Sequence, residues 1–189
     1  MLELARQHGV PLALMDGVEL GFRDSSLDVV VMAFVLFHLD DPIVALREVA
    51  RVLRPGGTVG TITWAEDPET EASQVWEQEL DAHGARDPVA ARPRRDEPMN
   101  SPEKMRGLFA IAGLEPVRVW LERFEHHWDL DGLSLMHRTF GRTKRKLESL
   151  DAQTRGSFLE RVRDRLVGLP PEAFVYRAAV VCGVACRPA

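Results

Sequence analysis

Between Ser26 and Trp64 the spacing of apolar residues changes in a way that predicts successive elements. Leu27-Asp28-Val29-Val30-Val31-Met32-Ala33-Phe34-Val35-Leu36-Phe37 is an apolar, largely β-branched and aromatic run with one acid near its start. It does not alternate, which predicts a strand buried on both faces of a parallel sheet. His38-Leu39-Asp40-Asp41-Pro42 then offers an Asp for a helix cap and a Pro for the first helical position. Ile43, Leu46, Val49, Ala50 and Leu53 recur at helical spacing, with Arg47, Glu48 and Arg51 on other faces. Pro55 is expected to stop that helix, Gly56-Gly57 to turn the chain, and Thr58 to Trp64 to return as a second strand. The product is a right-handed βαβ unit, and ligands of such sheets bind beyond the carboxyl ends of the strands. Chemistry is therefore expected between Ala33 and Asp41.

The flanking segments give weaker patterns. Met1 to Gln7 is helix-like and stops at Gly9, and Val10 to Met15 is a plausible strand ended by Asp16-Gly17. Ser73 to His83 predicts a short helix carrying Val75, Trp76 and Leu80. Arg86 to Asn100 is rich in Pro and in charges of both signs, the pattern of a loop or lid. Ser101-Pro102 starts a helix with Met105, Leu108, Phe109 and Ala112 on one face, and Val117, Val119 and Leu121 alternate as a strand. Asp131 to Leu150 reads as one helix, Phe158, Val162 and Leu166 mark another, and Phe174 to Cys186 reads as a buried final strand. No internal repeat is visible.

Composition narrows the field. At 189 residues, 45% hydrophobic and 28% charged, the chain has ordinary globular values and is expected to form one domain. A net charge of −5 argues against nucleic acid as the main partner. No run approaches the roughly 18–20 apolar residues of a membrane span, so no membrane partner and cytoplasmic residence are expected. Cys182 and Cys186, if on one strand, stand ~13 Å apart, too far for a disulfide, and with no third ligand nearby they predict no metal.

Taken together, Met1 to Arg6, Asp16 with Leu20, Phe22 and Asp24, Ser26 to Val30, Phe37-His38, and above all Ala45-Leu46-Arg47-Glu48-Val49-Ala50-Arg51-Val52-Leu53-Arg54-Pro55-Gly56-Gly57 carry a resemblance. The chain resembles class I S-adenosylmethionine-dependent methyltransferases, in the small-molecule branch related to the ubiquinone and menaquinone C-methyltransferases. The resemblance is strong from Met1 to Trp64 and holds beyond that as element order. It implies an α/β fold: an incomplete Rossmann-like sheet, mostly parallel with an antiparallel last strand, and helices on both faces. Within a single domain of residues 1–189, residues 1–65 would be the later part of the cofactor-binding half. Residues 66–100 would be a lid or insertion, and 101–189 the substrate-side half.

In the family a Gly-rich loop after the first strand holds the methionine end of S-adenosylmethionine, and an acid after the second binds its ribose. Neither stands before Asp16 in this sequence. An internal Met taken as the start of a longer methyltransferase, a degenerate relative, and a sheet completed by a partner would each account for this. A start at a Met inside a motif favours the first. An uncovered sheet edge would also allow a homo-oligomer.

By resemblance, Asp16 accepts a hydrogen bond from the adenine amino group while Gly17 and Val18 line the base. Ala33 and Phe34 flank the methionine portion of the cofactor. As plain residues, Asp16-Gly17 also suits an ordinary turn, and Phe34 ordinary core. His38, just past the central strand, is the catalytic candidate, a general base for a hydroxyl or acidic carbon, set against a histidine that merely packs at the loop. His126 and His127 point to opposite sides of a strand and cannot share a metal. Arg142 to Lys146 would suit an anion or a solvated helix face, and Trp76, Trp120 and Trp128 an apolar pocket or the core. The expected function is methyl transfer from S-adenosylmethionine to a small-molecule acceptor. The alternative is a non-catalytic, truncated or partner-completed methyltransferase-like protein. A nicotinamide-dependent oxidoreductase is disfavoured by the Arg-Pro-Gly-Gly turn and the want of a dinucleotide loop.

Overall fold

A computed structural model describes Arg6, Gly9 and residues 11–89 and 97–189. The expected helix over Met1 to Gln7 and the middle of the Pro-rich lid fall largely outside the described residues. Among the described residues the chain forms strands β1 (Leu27–Ala33), β2 (Leu53–Glu66), β3 (Glu115–His127) and β4 (Val175–Cys186). The helices are α1 (Pro42–Val52), α2 (Glu71–Ala82), α3 (Pro102–Ile111), α4 (Leu130–Thr139), α5 (Gly141–Glu148) and α6 (Ala152–Val167). The sheet has the order β1-β2-β4-β3 and is mixed, mostly parallel with the last strand antiparallel. The chain divides into two compact units, one of residues 1–65, 94–122 and 179–189 and the other of 66–93 and 123–178.

In the first unit β1 and β2 pair in parallel, from Val29↔Thr58 to Ala33↔Ile62. Asp41 caps α1 as its sequence predicts, its Oδ1 accepting from the amides of Ile43 at 2.9 Å and Val44 at 3.4 Å, with Pro42 following. Ala45, Leu46, Val49 and Val52 form the buried face of the helix. They meet Val59 of β2, Met105, Leu108 and Phe109 of α3, and Val181 and Ala185 of β4 in one core. At Gly183 of β4 a Cβ would lie 2.8 Å from both Phe109 Cε2 and Thr61 Oγ1, so α3 packs onto the sheet there only because the side chain is absent.

The Arg-Pro-Gly-Gly stretch behaves differently from the simple turn expected. The helix ends at Val52, and Leu53 is already extended, before Pro55 is reached. Arg54 to Gly57 then form an irregularity that shifts the β1–β2 register between Leu27 and Val29. Gly56 has φ +77° and donates to the carbonyl of Arg187 at 2.9 Å, while a Cβ at Gly57 would meet Arg54 O at 2.8 Å and Asp28 O at 3.1 Å. Both glycines are required by this backbone.

Two expectations in this unit fail. β1 is an edge strand, and Val29 and Val31 are 62% and 71% exposed, so the strand is not buried on both faces. Nor do residues 11–15 form a strand; with no ladder partner among the described residues, their backbone is irregular.

In the second unit Trp76, Leu80, Leu133, Phe158, Val162 and Leu166 make the core, so Trp76 packs as a core residue. Thr70, Asp129 and Asp151 cap α2, α4 and α6. The single helix expected over Asp131 to Leu150 breaks into α4 and α5, because Phe140 is extended and Gly141 takes φ +63°. Two buried polar groups join the helices. His137 stacks on Trp76, ring centroids 5.0 Å apart, with Nε2 3.1 Å from Ser73 Oγ and Nδ1 3.3 Å from Thr143 Oγ1. Burial pushes its imidazole down to about 4. Lys146 Nζ, its side chain 2% exposed, binds Glu77 Oε2 at 2.7 Å and Asp81 Oδ1 at 2.5 Å. Burial alone would lower the ammonium, but the hydrogen bonds to Asp81 and Glu77 outweigh it and raise it. Within the basic run Lys146 is thus internally paired, and Arg145 is bound to Asp87 at 2.7 Å as well. No helix among the described residues is long and apolar enough to cross a membrane.

Candidate functional site

The carboxyl end of β1 is marked by strain. The Phe34 amide donates to Ile62 O at 2.9 Å, completing the ladder, and Phe34 itself takes φ +55°. A bulky non-Gly residue in the left-handed region costs about 1–3 kcal/mol and persists only where its surroundings enforce it, commonly at binding sites. Its ring lies 4.8 Å from that of Trp64 on the neighbouring strand. A 3₁₀ turn over Leu36–His38 follows, burying Leu36 and Phe37. His38 is exposed, its ring 4.3 Å from that of Phe37 and its amide donating to Val35 O at 2.9 Å. Ala33 is exposed and Phe34 half-buried.

Asp16 to Glu19 form a tight turn. Asp16 Oδ1 accepts from the Val18 amide at 3.1 Å, and the Asp16 carbonyl from the Glu19 amide at 3.2 Å. This is the Asp-Gly turn that the plain residues predict. The turn also touches the segment that follows β1, since a Cβ at Gly17 would stand 3.5 Å from Leu39 Cδ2. Val18, Phe34 and Leu39 pack against the same apolar core. The turn and the segment that follows β1 therefore pack against the same core of the first unit.

The first unit also holds a feature that periodicity concealed. Arg51, in the last turn of α1, donates from Nη1 to Phe22 O at 2.9 Å and Asp24 Oδ1 at 2.6 Å. From Nη2 it donates to Leu20 O at 2.9 Å and Glu48 Oε2 at 2.8 Å, and from Nε to Glu48 Oε1 at 2.9 Å. Glu48 Oε2 in turn accepts from the Leu20 amide at 3.0 Å. The Arg51 hydrogen bond holds the Glu48 carboxyl below its ordinary range. A helical wheel leaves Glu48 and Arg51 on the polar side, and their distant partners are backbone groups and the Asp24 carboxylate some thirty residues away, which helical periodicity does not register.

Residues 1–60 match the methyltransferase domain family. Demethylmenaquinone methyltransferase of Corynebacterium kroppenstedtii is 42% identical over 57 residues, which are 30% of this chain and 25% of that protein. "Probable tRNA methyltransferase 9B" of Mus musculus is 35% identical over 68 residues, covering 34% of this chain and 15% of that one. The chain spans about a quarter of the length of the demethylmenaquinone relatives it matches. The YcgJ protein of Bacillus subtilis shares the fold, with a TM-score of 0.51 at 18% identity over 100% of this chain and 76% of that one. The matched segment carries the Asp16 turn, β1, α1 and the Arg-Pro-Gly-Gly irregularity, the parts the sequence made most legible.

Proposed function

We propose that this chain acts in methyl transfer from S-adenosylmethionine to a small-molecule acceptor, with the cofactor held at the carboxyl end of β1. The observation that carries the proposal is the approach of the Asp16–Gly17 turn to Leu39, where a Cβ at Gly17 would stand 3.5 Å from Leu39 Cδ2, in the segment that follows the left-handed Phe34. It supports a reading in which both candidate segments serve one site, at the end of a parallel strand where open α/β sheets bind ligands. The donor set suits an adenine. Asp16 spends Oδ1 on the Val18 amide, and among the described residues nothing donates to Oδ2, which leaves an acceptor for an exocyclic amino group. Gly17 and Val18 line the base, and Ala33 and Phe34 flank the methionine portion.

When bound, S-adenosylmethionine supplies a sulfonium-activated methyl group. The chain's own part is to orient the acceptor, exclude water and take up the proton the nucleophile sheds, and His38 is the residue assigned to that proton. The paired rings of Phe34 and Trp64 add an apolar surface at the end of β1. Calorimetric titration of the 189-residue chain with S-adenosylmethionine and S-adenosylhomocysteine tests the assignment. Asp16→Ala is expected to weaken both by about tenfold, the scale of one charge-assisted hydrogen bond. Equal affinities for variant and wild type would overturn it.

A second reading has its own observation. Val29 and Val31 leave an apolar face on an edge strand, which suits a methyltransferase-like subunit whose sheet a partner or second copy completes. Sedimentation at rising concentration separates the two, since that reading requires association to accompany cofactor binding.

A further inference from the structure

We infer that Arg51 and Glu48 are positioning residues for the adenine-binding turn, holding the Leu20–Asp24 connector so that Asp16 to Val18 stay against Leu39. The inference rests on the cofactor reading above. The connector has no helix or ladder of its own: residues 20–24 are irregular, and the backbone is next anchored at Ser25 and Ser26, which donate to the carbonyls of Arg51 and Val52. Between that anchor and the Asp16 turn, Ser26 Oγ donates to the Arg23 carbonyl at 2.6 Å and the Arg51–Glu48 pair supplies the hydrogen bonds to Leu20, Phe22 and Asp24. It occupies the carbonyls of Leu20 and Phe22, the amide of Leu20 and the carboxylate of Asp24.

The chemistry requires arginine. A planar guanidinium with five donors reaches two carbonyls and two carboxylates at once, whereas an ammonium has three donors and no fork. Glu48 completes the device by fixing one edge of the guanidinium through Nε and Nη2 while its Oε2 also takes the Leu20 amide. Because α1 is capped by Asp41 and buried along Ala45, Leu46, Val49 and Val52, the pair stands on a rigid base. Asp16 itself makes no hydrogen bond to Arg51, so the effect on the base is transmitted through the backbone of residues 18–20.

Amide hydrogen exchange on the full chain, with calorimetric titration of S-adenosylmethionine, tests this for Arg51→Met and Arg51→Lys. Arg54→Met, which removes the exposed pair with Asp28, is the control for lost charge. The expected result is faster exchange at Val18, Glu19 and Leu20 in both Arg51 variants, with Val49 and Val52 of α1 unchanged. Affinity should fall about tenfold or more, as expected where charge-assisted bonds are lost, and Lys should not rescue it. A general loss of stability would instead speed exchange throughout α1 and β1, and that outcome overturns the positioning role. Unchanged exchange at residues 18–20, or full rescue by Lys, does so as well. Should the wild-type chain fail to bind S-adenosylmethionine, the cofactor reading falls, while the local exchange pattern still decides whether Arg51 orders the turn.

Discussion

Acidification should destabilise the second unit through His137, and the size of the effect follows from its surroundings. Thr143 Oγ1 donates to Phe140 O, so toward Nδ1 it can only accept, and Nδ1 carries the proton. Thr70 Oγ1 donates to Ser73 Oγ, leaving the Ser73 hydroxyl free to donate to Nε2. The neutral ring thus has both nitrogens satisfied while only 5% of the residue is exposed, and burial holds it neutral down to about 4. Unfolded, the same ring takes a proton near pH 6.5. Between those values the unfolded chain binds more protons than the folded one, so stability falls as pH drops. The loss is about 2 kcal/mol at pH 5 and about 3 kcal/mol at pH 4, and negligible at pH 7. Urea denaturation at pH 7 and pH 5 of wild type and His137→Gln, followed by the near-ultraviolet signal, reads this loss. Wild type should lose about 2 kcal/mol more than the variant over that interval. The His137 ring resonance in an NMR titration should stay unmoved until well below pH 6. A midpoint near 6.5, or parallel losses in the two proteins, would refute the reasoning.

Other expectations follow from packing and pairing. Gly183→Ala drives a methyl into Phe109 and Thr61, contacts of 2.8 Å that a rigid core cannot widen cheaply, and should cost about 1–3 kcal/mol in thermal denaturation. Lys146→Met strands Glu77, whose side chain is only 18% exposed, while the 66%-exposed Asp81 relaxes into water. The cost should be about 1–3 kcal/mol in urea, and adding Glu77→Gln should return part of it in a double-mutant cycle.

How far the residues foretold the fold depends on what kind of interaction fixes each part. The Asp41-Pro42 cap and the Ser101-Pro102 helix start are set by neighbours in sequence, and each forms as patterned, whereas the buried face of α1 keeps Leu46 and Val49 of the expected set and adds Ala45 and Val52. β1 was legible as a strand but not in its exposure, because burial depends on what covers the sheet and not on the strand's own residues. The break between α4 and α5 rests on one glycine, which a helix tolerates for about 1 kcal/mol, so Gly141 alone could not announce it. Residues 11–15 have the composition of a strand and lack only a partner, which no local pattern reveals. Within the site, Asp16, Gly17 and Phe34 came from the methyltransferase resemblance, and the structure adds the Leu39 contact and the left-handed backbone. Arg51 stood within the Ala45–Gly57 stretch that carries the resemblance but with no role assigned to it, and His137 gave no signal, since an isolated histidine is ordinary in any sequence.

Amide chemical-shift mapping of S-adenosylmethionine on the 189-residue chain tests the central claim most directly. Saturable shifts should gather at Asp16, Gly17, Val18, Ala33 and Phe34, at the turn and the end of β1. Spectra that do not change at millimolar cofactor, or shifts confined to the helices of the second unit, would contradict it.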